Sequence, residues 1–330
     1  MIKIKTEEGA RMSFFSYLKT LTNDSCIIPM TCARSALVQG LRAFNLGRMD
    51  EILVPPYMCQ AVLAALSRTS FPVMTPSPRT KAILVFHQFG FPQKLAIIKK
   101  KAKENGWLII SDCAHTIASN CEGRNILDWG DFSVVSCSKI FPCVLGGAIV
   151  SSNKPFMAKV QTNVNYLGQK DKKWVEKAYK IIKVNQRNVN GADAVFEIAA
   201  VYGLLPEMVS FPSKTRNFLS KKSEVYKQDV DRRRQRWTMV QSFFPRLVPN
   251  CSGCDVVPWA IPIKGSFAKV NRASLIIKKN MGVSLPILHF DFARNMLQPG
   301  YQPALVIDCQ GALTENQIIK ICKELKIQGM

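Results

Sequence analysis

Between residues 26 and 152 the chain alternates between short apolar runs and longer stretches of helical period, and few folds accept that order. The runs CIIPM, EILVP, FPVMTP, AILVF, WLIIS, FSVVS and AIVSS have the length and the Ile, Val and Phe content of buried strands. Between them, TCARSALVQGLRAFNLG places Ala33, Ala36, Leu37, Leu41 and Phe44 on one helical face, with Thr31 as the expected N-cap. CQAVLAALSR reads as a second helix, and PQKLAIIKKKAKENG as a third, opened by Pro92 and closed by Gly106. Strands joined by helical crossovers predict an α/β fold with a mostly parallel central sheet and helices on both faces.

The remainder of the chain follows different patterns. Residues 153–246 read as mostly helical and basic. Within them AVFEIAAVYGLLPEMV is apolar but interrupted by Glu197, Pro206 and Glu207, which fits a buried or subunit-interface helix better than a membrane one. After Pro249 strand signals return in VVPWAIPIK, VSLPIL and ALVIDC, with a helix near KVNRASLIIKKNMG. The closing TENQIIKICKELKI has Thr314 as its cap and Ile318, Ile321, Cys322 and Leu325 on one face. The expected division is a large unit over 1–245, including the basic helical segment 153–245, and a smaller α+β unit over 246–330.

Charge matters here because it is uneven. The net charge is +22, and from Lys154 to Arg246 the chain holds 19 basic and 8 acidic residues, half the excess. KDKK at 170–173 and DRRRQR at 231–236 are its densest runs. They read as a solvated helical face, as a surface for an anionic substrate such as a diphosphate, or as a patch for peripheral contact with an acidic membrane. Nucleic acid is not expected, since no nucleic-acid-binding motif or interleaved aromatic pattern is present. No apolar stretch reaches the length of a transmembrane segment, and MIKIKTEEGARMSFFSYL has no clean apolar core or cleavage site, so a cytoplasmic location is expected. The 11 cysteines form no framework; Cys251 and Cys254 make a lone CxxC, so no metal is expected and the thiols read as reduced.

The chemistry concentrates at strand ends. Asp112 follows WLIIS, at the expected start of a helix, and Lys139 follows FSVVS; Gly146-Gly147 then leads into AIVSS. A carboxylate at one strand end, an amine at the next and a glycine pair before a third is the layout of a pyridoxal 5'-phosphate (PLP) site. Lysine holds that cofactor as a Schiff base and can move a proton at the substrate carbon, while an anion keeps the ring nitrogen protonated. Ser35, in the first turn of the Ala-rich helix, and Ser136 and Ser138, beside the lysine, are candidate phosphate donors. His115, three residues after Asp112 on the same expected helix, is placed against the ring or its phenolic oxygen. His87 and Tyr57 follow other strands, either bordering the same site or packing in the core.

Three stretches carry a family resemblance: TCARSALVQGLRAFNLGRMDEILVPPY, AILVFHQFGFPQKLAIIKKKAKENGWLIISDCAHTIAS and GDFSVVSCSKIFPCVLGGAIVSS. Through them the chain resembles the DegT/DnrJ/EryC1/StrS aminotransferases, PLP-dependent enzymes of fold type I that act mainly on nucleotide-linked keto-sugars. The resemblance is specific over 26–152 and looser through VVPWAIPI and GALTENQIIKICKEL. It implies Asp112 as the pyridine partner, Lys139 as the Schiff-base lysine and Ser35 and Ser136 as phosphate ligands. His115 stands where the family usually has a glutamine facing the cofactor. A homodimer with sites at its interface is also implied, as are a glutamate donor and a nucleotide-sugar acceptor for surface polysaccharide.

The departures mark a divergent subgroup. Arg34-Ser35 replaces the usual Gly-Thr, so Arg34 adds a phosphate contact or points outward. The segment from Ser136 to Lys139 is two residues short, Cys59 stands at the usual ring-stacking position with Tyr57 nearby, and the family's Asn-Tyr-Arg stretch is not evident. Two other readings compete with transamination: a PLP-dependent sugar dehydratase or lyase, and a degenerate PLP fold that only binds. The first is disfavoured because family dehydratases carry histidine in place of Lys139, the second because Asp112 and Lys139 are both retained.

Overall fold

The structure is a computed structural model and describes residues 13–185, 192–220 and 223–330. Most of the stretch MIKIKTEEGARMSFFSYL lies outside the described residues, up to Met12. The first unit runs α1 (Phe14–Leu21), β1 (Cys26–Met30), α2 (Ala33–Ala43), β2 (Glu51–Leu53), α3 (Gln60–Leu66), β3 (Phe71–Val73), β4 (Thr80–Phe86), α4 (Leu95–Asn105) and β5 (Leu108–Asp112). It continues through the short β6 (Asn120–Cys121) and β7 (Arg124–Asn125), then β8 (Phe132–Ser136), α5 (Cys137–Ile140) and β9 (Gly147–Ser151). Four helices follow: α6 (Lys154–Asn185), α7 (Ala192–Leu204), α8 (Ser213–Leu219) and α9 (Ser223–Phe243). The chain ends with β10 (Cys254–Asp255), β11 (Ala260–Lys264), α10 (Phe267–Met281), β12 (Ile287–Asp291), β13 (Tyr301–Asp308) and α11 (Glu315–Ile327).

The seven-stranded sheet has the order β1-β9-β8-β5-β4-β2-β3. The pairs from β8 through β3 are parallel, and β9 runs antiparallel to both its neighbours. The mostly parallel sheet expected from the alternation is thus present, reversed only at β9. Each strand sends alternate residues to opposite faces. Ile110, Val134 and Ile149 pack with α2 and α6 on one face. On the other, Ile83, Val85 and Ile109 meet α4, while Val135, Ala148 and Val150 meet α1 and Tyr226.

Two glycines set how closely α2 approaches this sheet. A Cβ on Gly40 would lie 2.5 Å from the Phe132 ring, and one on Gly147 would lie 2.4 Å from the carbonyl carbon of Cys32. Gly147 therefore lets the start of β9 touch the start of α2. Gly146 before it has a φ of +134°, a conformation few other residues accept.

The C-terminal sheet, β11-β13-β12, is antiparallel. It buries Ile261, Leu305 and Ile307 against α10, α11 and the C-terminal half of α9, which supplies Trp237 and Val240. Phe89 and Phe91, from the turn after β4, belong to the same core and join the two sheets.

Several local expectations are corrected. No helix begins at Asp112: residues 113–119 form turns, because Asp112 Oδ1 accepts the Ala114 N–H and Thr116 Oγ1 accepts the Ala118 N–H, an alternative to helical bonding. The N-cap of α2 is Cys32; the Thr31 hydroxyl donates instead to the Ser210 carbonyl. The helix expected to open at Pro92 begins at Leu95, behind Lys94 as its N-cap. The strand read in VSLPIL lies further along, at β12. Cys121 and Cys254 are not reduced but bonded, because β6 and β10 pair antiparallel and set them directly opposite each other. Among the described residues no helix is long and apolar enough to cross a membrane.

Candidate active site

β5 and β8 are parallel neighbours, with Asp112 opposite Val134, so the carboxyl ends of both strands open on one edge of the sheet. Asp112 ends the first strand and is 5% exposed. Burial pushes its carboxyl up to about 6, against the lowering effects of the Ala114 N–H and of the charge on Lys139. Among the described residues no hydrogen bond reaches its Oδ2, while Oδ1 accepts from Ala114 at 3.0 Å.

Lys139 lies one turn beyond the end of β8. The Cys137 N–H donates to the Gly146 carbonyl at 2.9 Å, which pins α5 against the glycine pair and leaves the Lys139 side chain exposed. Its carbonyl accepts from Trp259 Nε1 at 3.0 Å and from Gln310 Nε2. Its Nζ stands 5.6 Å from the centroid of the Trp259 ring. Two side chains of the C-terminal unit thus hold the backbone of this lysine.

His115 completes the cluster, reached through a turn rather than along a helix. Its ring stacks on Trp259 at 4.6 Å and 11° and lies parallel to Phe89 at 5.9 Å. Nδ1 accepts the Phe89 N–H at 3.1 Å, which leaves the ring proton on Nε2. Burial first, then the Lys139 charge, holds its pKa down to about 3, so the ring is neutral. Phe89 has a positive φ of 53° and also accepts the Trp259 N–H at 2.8 Å. Its backbone therefore bridges His115 and Trp259.

The other expected residues differ in placement. Ser136 is buried, with its hydroxyl 3.3 Å from that of the exposed Ser138. Ser35 is wholly buried, and its hydroxyl both donates to the Cys32 carbonyl and accepts the Cys32 N–H, capping its own helix. Arg34 turns towards α7, donating to the Tyr202 carbonyl at 3.2 Å with its guanidinium over that ring. Tyr57 stacks on His289 at 4.8 Å and meets Tyr301 edge-on, so it faces the C-terminal sheet. Cys59 is exposed at the start of α3. His87 is a core residue: wholly buried, bonded to Ser111 Oγ at 2.9 Å, with burial lowering it to about 3. Asp112, Lys139, His115 and Ser136 are brought to one edge; Arg34 and Tyr57 are directed elsewhere.

Trp259, Gln310 and Phe89 were not signalled by the sequence. Trp259 stands in VVPWAIPIK, where a strand explains it equally well. A tryptophan just before a strand was the one available cue.

The sheet order and its flanking helices define an α/β protein with the architecture of fold type I. Residues 73–195 match the DegT/DnrJ/EryC1/StrS aminotransferase family. The chain is 30% identical over 125 residues to UDP-N-acetyl-3-dehydro-alpha-D-glucosamine 3-aminotransferase of Acidithiobacillus ferrooxidans, covering 32% of this chain and 33% of that one. It is 26% identical over 183 residues to dTDP-3-amino-3,4,6-trideoxy-alpha-D-glucose transaminase of Streptomyces venezuelae, covering 48% and 46%. The matched part thus spans less than half the length of these relatives. A Streptococcus pneumoniae protein assigned as a sugar aminotransferase, solved in its PLP form, has the same fold with a TM-score of 0.67 at 13% identity, covering 94% of this chain and 89% of that one. Over residues 73–195 the chain is therefore similar to the DegT/DnrJ/EryC1/StrS aminotransferases.

Proposed function

We propose that this protein is a PLP-dependent aminotransferase that moves an amino group to a keto group on a nucleotide-linked sugar. The observation that carries the reading is the pairing of Asp112 with Lys139 at adjacent parallel strand ends, close enough for the lysine charge to lower the Asp112 pKa. A buried carboxyl with one free oxygen fits a cationic ring nitrogen, which would offset the burial that now disfavours its charge. When bound, PLP supplies an electron sink.

Each residue of the edge then has a task. Asp112 holds the proton on the ring nitrogen. Lys139 anchors the cofactor and, once released, takes and returns the proton at the substrate carbon. His115 is a neutral hydrogen-bond donor through Nε2–H and, stacked on Trp259, walls the site. Ser136, Ser138 and the start of α2 receive the phosphate, with the Ser35 hydroxyl keeping that helix start ordered. Trp259 and Gln310 fix the lysine turn through its carbonyl.

Glutamate as donor, a homodimer and a role in surface polysaccharide, supported by the family resemblance, complete the proposal, with a cytoplasmic location read from the sequence pattern. The names of the curated relatives support a sugar acceptor. Protein purified with PLP should be yellow, and borohydride should fix the cofactor to Lys139 and bleach it. Lys139→Ala should abolish fixation. Glutamate should then convert the wild type to the pyridoxamine form; no spectral shift with any amino donor would replace transamination by a lyase reaction, and absence of any PLP binding would sink both.

A further inference from the structure

The two basic runs of the sequence have different fates. Those in α9 are paired within the protein: Arg233 and Arg232 bind Asp229, Arg234 binds Asp255 and Asp231, and Arg236 donates to the Cys309 and Leu313 carbonyls. Among the readings open for DRRRQR, these pairings support a structural role for the arginines, with Arg232 and Arg234 still partly exposed.

The lysines of α6 remain. This helix is 32 residues long and holds eight lysines, no arginine and two acids. Asp171 is turned inward, accepting the N–H groups of Val209 and Ser210, and the half-buried Glu176, on the flank, accepts that of Ser213. The opposite side carries Val175, Ala178 and Ile182 into the core. At about 100° per residue, Tyr166, Lys170, Lys173, Lys177, Lys180 and Val184 fall within roughly 80° of arc, along about 27 Å of helix. Trp174 and Ile181 lie on the flank of that arc. Tyr166 is 62%, Trp174 58% and Val184 59% exposed. Lys170 packs over the Tyr166 ring and Lys177 over the Trp174 ring.

From this stripe we infer that α6 docks the protein on an anionic phospholipid surface, with the lysines at the headgroups and Trp174, Tyr166 and Val184 entering the interfacial layer. Charge complementarity selects the partner: an exposed arc of cations that itself holds no acid favours a negative surface. Interleaved Trp and Tyr are the side chains that favour the boundary between headgroup and acyl chain. A second copy of the chain, meeting this stripe through a two-fold axis, would set lysine against lysine. Nucleic acid recognition favours arginine forks, which α6 lacks. The stripe is independent of the chemistry at Lys139, so neither inference falls with the other.

The test is co-sedimentation of the full chain with phosphatidylcholine vesicles, with and without about 30% phosphatidylglycerol, at low and high salt. Binding is expected only with phosphatidylglycerol and is expected to weaken in salt. Lys173→Glu with Lys177→Glu should lower the partition coefficient at least ~20-fold, about fivefold per lysine lost. Trp174→Ser should lower it about threefold or more without altering its salt dependence. As a control of equal charge change elsewhere, Lys278→Glu with Lys279→Glu should leave it nearly unchanged. No binding to anionic vesicles overturns the inference. So does an equal loss in the Lys278/Lys279 control, which would assign binding to net charge. A change of oligomeric state in the Lys173/Lys177 variant, seen by sedimentation velocity, would give the stripe to a second copy; tighter retention of a random DNA duplex than of vesicles would give it to nucleic acid. Circular dichroism and borohydride fixation at Lys139 report whether each variant remains folded.

Discussion

Asp112 and His87 are buried groups two strands' edges apart in role, and they titrate in opposite senses. His87 is lowered from 6.5 to about 3, so its neutral form is favoured in the folded protein. Its stabilisation is complete above about pH 6.5 and is lost as pH falls from there towards 3, at up to about 1.4 kcal/mol per pH unit. His115, also lowered, acts in the same direction. Asp112 is raised from 3.8 to about 6, so the folded protein keeps a proton that the unfolded chain releases. Its contribution falls as pH rises from about 4 to 6, and above 6 the cost of the buried charge is complete. Urea unfolding of the cofactor-free protein at pH 7, 6 and 5 should show stability dropping on acidification, less steeply in His87→Gln. Asp112→Asn should stabilise the cofactor-free protein at pH 7 by about 1–3 kcal/mol while cutting amino transfer at least ~100-fold; a variant that loses both stability and activity would make Asp112 a structural residue.

Among the elements, what was legible had local chemistry behind it. α11 carries its capping box, Thr314 with Gln317, and begins where that pattern puts it; α4 ends at Gly106 in the left-handed conformation. The failures have a common cause, in that side chains bond nearby backbone in ways that periodicity does not display. Ser35 moves the α2 cap to Cys32, and Asp112 and Thr116 hold turns where a helix was expected. The Asp112–Lys139 edge was readable because both residues stand at or just beyond the ends of apolar runs. Trp259 and Gln310 were not, since they reach Lys139 across 120 and 171 residues of chain. The closest approach of elements is between β9 and α2. Gly147→Ala would drive a Cβ into the Cys32–Ala33 backbone, and should destabilise the protein by about 2–3 kcal/mol with a loss of PLP affinity. Thermal unfolding and cofactor titration measure the two effects; an unchanged melting temperature would show that α2 can retreat freely.

At the scale of the molecule, the arginines of α9 tie the long helical segment to the C-terminal sheet. Arg233 is 2% exposed and shares Asp229 with Arg232, and its neighbour Arg236 holds the backbone after β13. Removing one member of a buried pair leaves the other charge stranded. Asp229→Ala should therefore cost about 3 kcal/mol or more, read by urea unfolding, whereas Lys170→Ala on the exposed α6 should change stability by less than about 0.5 kcal/mol. Equal effects would contradict the division of the basic charge into an internal half and an outward half. The net charge told of an excess; only the packing tells which cations are spent.

The bonds from Trp259 and Gln310 to the Lys139 carbonyl also order events during synthesis. All seven strands of the large sheet, and Lys139 with them, are synthesised more than a hundred residues before Trp259. Until the segment holding Trp259 and Gln310 emerges and docks, the lysine turn lacks both of these anchors. The amine proposed to hold the cofactor is thus set in place only after residues 259–310 have been made.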